Sequence, residues 1–73
     1  MRFEAREYTN GPEGRRLLNA LSSGKRAFTE MLAKELVERR VVAGWEMQED
    51  EEGIMLLGPK GEIKEVVIEE MEF

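Results

Sequence analysis

Apolar positions recur along this chain with two periods, and the change of period divides it into elements. The opening Arg2-Phe3-Glu4-Ala5-Arg6-Glu7-Tyr8-Thr9 carries aromatic and β-branched residues near its ends and runs into Asn10-Gly11-Pro12, which predicts a strand with imperfect alternation. Asn10 and Glu13 have the spacing of a capping box, and Pro12 suits a first helical turn, so a helix is expected to begin there. Leu17, Leu18 and Leu21 would form its apolar stripe, and Ser22-Ser23-Gly24 would end it. A helix running unbroken from Pro12 to Val42 would be about 46 Å long at 1.5 Å per residue, too long for strands of this size to cover. A second helix is predicted from Phe28, Met31, Leu32 and Leu36, with Ala33 and Val37 widening the buried face and Gly44 closing it.

After Gly44 the period falls to two. Trp45 and Met47 alternate with Glu46 and Gln48, the pattern of a strand with one buried face. Four consecutive acids, Glu49 to Glu52, read as a solvated turn before Gly53, and Ile54 to Leu57 reads as a central strand. Gly58-Pro59-Lys60-Gly61 is a strong turn signal. In Ile63 to Met71 the positions Ile63, Val66, Val67 and Met71 also match helical spacing, but the β-branched Val66-Val67-Ile68 favours a strand.

The expectation is therefore a single α+β domain over residues 1–73, in the order β-α-α-β-β-β, with an antiparallel sheet and both helices packed on one face. Trp45, Met47 and Met31 are expected inside. Ile54 and Leu56 alternate with Met55 and Leu57, so both sides of the sheet carry apolar residues and one side lacks a cover. Met55, Leu57, Met71 and Phe73 are the interaction candidates, and a homodimer through the sheet is the expected way to bury them.

Composition narrows the chemistry. The chain has no cysteine and no histidine, so disulfides and thiolate or imidazole metal sites are excluded. No basic-then-apolar leader opens it, and its longest apolar run, Ile54 to Leu57, is far short of a membrane span, so a cytoplasmic protein is expected. Asp50 is the single aspartate, and the hydroxyls are Thr9, Thr29, Ser22, Ser23 and Tyr8. Without His or Cys most nucleophile–base pairs cannot be built, and no catalytic residue, cofactor or metal ligand is assigned. The acids at 49–52 lack the alternation and central glycine of a calcium loop.

Charge is unevenly spread around a net −5. Residues 1–43 hold nine Lys or Arg against six Glu, whereas residues 44–73 hold two Lys against ten acids. Three readings follow: mutual neutralisation of the two halves within the fold, a basic surface for nucleic acid, or an acidic surface that inhibits nucleic-acid-handling proteins by imitating phosphate rows. The candidate nucleic-acid contacts are Arg15, Arg16, Lys25, Arg26, Arg39 and Arg40. Leu17 to Gly24 followed by Phe28 to Leu36 resembles the opening helices of winged-helix regulators, and Val41 to Trp45 with Leu56 to Gly61 resembles their wing. That resemblance implies DNA binding, although the separate recognition helix is missing and the wing is acidic. The leading expectation is a non-enzymatic, protein-binding or regulatory module.

Overall fold

The computed structural model describes residues 1–72, and Phe73, one of the interaction candidates, lies outside the described residues. The elements are β1 (Arg2–Gly11), β2 (Gly14–Ser23), α1 (Arg26–Val42), β3 (Glu46–Glu49), β4 (Ile54–Leu57) and β5 (Ile63–Met71). The five strands form one antiparallel sheet in the order β2-β1-β5-β4-β3. The last three strands make a meander that joins β1 through β5. α1 carries the chain from one sheet edge, β2, to the other, β3, and packs across a single face.

The expected two-helix architecture is corrected: the first helix is a strand. Gly11 pairs with Gly14, so Pro12 and Glu13 occupy a hairpin turn, and Gly14 at φ 101° is the left-handed residue that often follows such a turn. The same Asn-Gly-Pro-Glu-Gly sequence that resembles a helix cap serves as a hairpin loop because the segment that follows pairs with β1 from Phe3 to Gly11. The register shifts between Glu7 and Tyr8, where Leu18 is the extra residue of a bulge. This bulge interrupts the alternation of Leu17, Leu18 and Leu21, leaving a spacing that mimics a helix stripe. With Leu17 to Ser23 in a strand, the winged-helix resemblance loses its first helix.

α1 begins at Lys25, whose extended backbone (φ −130°, ψ 132°) suits a cap but whose side chain makes no capping hydrogen bond. It ends in a Schellman arrangement: the Gly44 N–H donates to Val41 O (3.0 Å) and the Trp45 N–H to Arg40 O (2.9 Å), with Gly44 at φ 98°. Its inward side is formed by Thr29, Ala33, Leu36 and Val37. The Thr29 hydroxyl donates back to Lys25 O (3.1 Å), so this buried polar group is satisfied. The predicted helix face is thus rotated. Leu36 is buried and Leu32 half-buried, but Phe28 and Met31 are 54% and 61% exposed. Small residues at 29 and 33 let the helix lie close to the sheet, and the larger residues flank or oppose that contact.

The core comprises Ala5, Leu56 and Val66 of the sheet with Ala33, Leu36 and Val37 of the helix, and Leu21, Leu32, Trp45, Ile54 and Ile68 pack around it. Trp45 is half-buried against this core, whereas Met47 and Met31, both expected inside, are exposed. At the other end of β3, Asp50 shapes the turn into β4. Its Oδ1 accepts from the N–H groups of Glu52 (2.8 Å) and Gly53 (3.0 Å), and its own N–H donates to Gly53 O (2.9 Å). Gly53 allows this turn to lie against β5, since a Cβ there would stand 2.6 Å from Val66 O.

Candidate binding surface

Strand pairing determines what each sheet face presents. Ala5, Glu7, Val66, Ile68, Ile54 and Leu56 share the helix side, so by alternation Arg2, Glu4, Arg6 and Tyr8 of β1, Ile63, Glu65, Val67, Glu69 and Met71 of β5, and Met55 and Leu57 of β4 share the other. Among the described residues no element covers this second face.

Its β1–β5 part is an ion-paired ladder. Arg6 Nη2 lies 2.7 Å from Glu4 Oε1, and Arg6 Nη1 lies 3.0 Å from Glu69 Oε2 and donates to the Tyr8 hydroxyl at 3.2 Å. These hydrogen bonds, to Tyr8 first and Glu4 second, hold Arg6 more firmly protonated than a free guanidinium. Arg15 reaches in from β2, its guanidinium 3.7 Å from the Tyr8 ring centroid and paired with Glu65. The long charged side chains thereby shield the middle of the sheet.

Beside the ladder runs an apolar strip. Met55, Leu57 and Ile63 are exposed, and Val67 and Met71 are half-buried. Where the strip meets the Asp50–Gly53 turn, a shallow cleft of about 370 Å³ opens over Met55 and Val67, lined also by Asp50, Glu52, Glu65, Glu69 and Arg15. Glu65 and Glu69 are neutralised by Arg15 and Arg6. Asp50 and Glu52 make no ion pair among the described residues, so the cleft is apolar at its floor and anionic at its rim.

The buried polar centre is on the helix side. Glu7, only 1% exposed, accepts from Asn19 Nδ2 (2.6 Å), Arg40 Nε (2.8 Å) and Arg40 Nη2 (3.2 Å). Burial pushes its carboxyl up, but the hydrogen bonds from Arg40 and Asn19 outweigh burial and leave it below its ordinary value. The Glu7 hydrogen bond in turn raises Arg40. Trp45 lies beside this group, with its ring centroid 5.3 Å from Lys64 Nζ and 6.0 Å from the Arg40 guanidinium. The cluster ties β1, β2 and α1 together. It was missed in the sequence, where its one signal is that Glu7 falls in phase with Phe3 and Ala5 on the inward side of β1.

The six basic candidates occupy three stations. Arg15 and Arg16 flank the hairpin tip, Lys25 and Arg26 start the helix, and Arg39 and Arg40 end it. Three are engaged within the chain: Arg15 with Glu65, Arg26 with Glu30 (3.4 Å) and Arg40 with Glu7. By contrast, Met55, Leu57 and Met71 do share one face. No family model, curated protein or solved structure matches this chain, so its function is read from the surface alone. No helix among the described residues is long and apolar enough to cross a membrane.

Proposed function

We propose that this chain is a non-enzymatic binding module that receives a basic, partly apolar segment of another protein on the uncovered face of its sheet. The observation that carries this reading is the cleft beside Met55 and Val67, where an apolar floor meets a rim containing Asp50 and Glu52, carboxylates that make no ion pair among the described residues. An extended segment alternating cations with apolar side chains is complementary in both respects. A second copy of this chain fits the cleft less well, because each copy would bring the same anionic rim at a net charge of −5.

The chemistry of the interior supports a binding role over catalysis. A general base needs access to a substrate and a pKa tuned toward the working pH. Glu7, the most deeply buried carboxylate, is enclosed and held low by Arg40 and Asn19, and Asp50 is occupied in a turn. Nucleic-acid binding is the weaker reading because the basic candidates are divided among three stations and half of them are paired internally.

The test uses two synthetic peptides, one alternating Lys with Val and one alternating Glu with Val, titrated against the whole chain in a salt series. The basic peptide should bind, weaken as salt rises, and lose affinity to the Met55→Gln, Leu57→Gln double variant. Equal binding of both peptides, or undiminished binding by the variant, would overturn the reading. So would a salt-sensitive gel shift with mixed DNA and RNA.

A further inference from the structure

We infer that the hollow between α1 and the acidic β3–β4 turn, on the helix side of the sheet, binds a small zwitterion with an apolar body, of the dipeptide class. One wall is a line along the helix. Arg26, Glu30 and Lys34 are spaced by four residues and so stack on one side of α1. Arg26 is neutralised by Glu30 (3.4 Å), whereas Lys34 makes no ion pair among the described residues.

The opposite wall is the run Glu49 to Glu52. Its backbone is held by the hydrogen bonds to Asp50 Oδ1 and by the close seat of Gly53 against β5, so the sheet and not the helix sets its position. Between the walls the floor is apolar. Ala33 of the helix and Ile54, Val66 and Ile68 of the sheet line it, and because Ala33 and Val66 are core residues the hollow opens onto the edge of the core. Its volume is about 470 Å³, in the range of sites that take small ligands.

The charges select the occupant. Lys34 and the four acids share this space, yet none of them pairs with another across it. A dipolar molecule satisfies both walls: its ammonium group meets the acids, its carboxylate meets Lys34, and its apolar body covers Ile54 and Ile68. In a dipeptide the two charges stand at opposite ends, as walls from separate elements require, whereas in a free amino acid they share one carbon. An anion would face the acidic wall, and a simple amine would leave Lys34 unpaired. Asp50 and Glu52 also line the cleft on the uncovered face, but Met55 and Leu57 do not line this hollow, and the inference does not rest on the basic-segment reading.

Leucyl-leucine titrated into the full chain should shift the amide and methyl signals of Ala33, Gly53, Ile54 and Ile68 saturably. Acetylating its amine should abolish binding, and amidating its carboxylate should weaken binding about fivefold, the loss of one exposed ion pair. Lys34→Met should lose the same factor for the free dipeptide and should no longer distinguish it from the amide, a pattern that general damage to the fold would not produce. The Met55→Gln, Leu57→Gln double variant should bind leucyl-leucine as the parent does, so failure of the basic-segment reading leaves this test intact. No saturable shift, equal binding of the acetylated dipeptide, or a Lys34→Met chain that still prefers the free carboxylate would overturn the inference.

Discussion

Glu7 is a carboxylate held where an apolar residue would normally sit. Three hydrogen bonds from Arg40 and Asn19 offset its desolvation, and Arg40 keeps part of its guanidinium in water. Removing the charge while keeping the shape leaves Arg40 without its counter-ion, so Glu7→Gln should destabilise the chain by about 2 to 3 kcal/mol in urea unfolding at neutral pH, below the full cost of breaking an enclosed pair. The acid limb follows from the direction of the shift. The folded carboxyl titrates below its ordinary value of 4.5, so its stabilisation is complete above that value and is lost as pH falls through the lower, folded value. Glu7→Gln should flatten stability against pH in this window. A variant as acid-sensitive as the parent would show that other carboxylates dominate. This cluster was illegible in the sequence because its partners, Asn19 and Arg40, are brought to Glu7 only by the hairpin and by the return of the helix.

At the scale of elements, the helix over 26–42 and the closing Gly44 were legible, since a 3.6-residue pattern followed by a left-handed glycine has few alternatives. The phase of the helix was not. Nine apolar residues surround it, and selecting the large ones as buried overlooks Thr29 and Ala33, whose small size permits close packing on the sheet. The β1–β2 hairpin was hidden more thoroughly. A bulge gives Leu17, Leu18 and Leu21 a helical spacing, and the Pro-containing turn shares residues with a helix cap; strand pairing along nine residues outweighs these local signals. The start of α1 offers a direct test of capping. Lys25 has the backbone of a cap without a side chain able to accept, and its cation faces the positive end of the helix dipole. Lys25→Asp should raise stability by about 1 kcal/mol in thermal unfolding, and a fall would contradict the assigned helix start.

For the molecule as a whole, the sheet order reconciles the two oppositely charged halves. Placing β1 beside β5 brings Arg6 to Glu69 and Arg15, from β2, to Glu65. Arg26 and Lys34 share a hollow with the Glu49–Glu52 turn but make no ion pair with it among the described residues. The charge division was plain in the sequence, but its partial cancellation depends on a strand order that no single segment encodes. What remains outside this pairing is the anionic rim around Met55. The alternation of Ile54 to Leu57 placed Met55 and Leu57 together on one side of the sheet, whereas the cleft required the fold, because only strand pairing brings the turn bearing Asp50 and Glu52 beside Val67 of β5.

The most direct test of that surface is an amide and methyl chemical-shift map of the full chain titrated with the Lys–Val peptide. The uncovered-face reading predicts shifts concentrated at Gly53, Met55, Leu57 and Val67, with little change at Ala33 or Leu36. Shifts centred on the hairpin tip or the helix, or none at all, would contradict it.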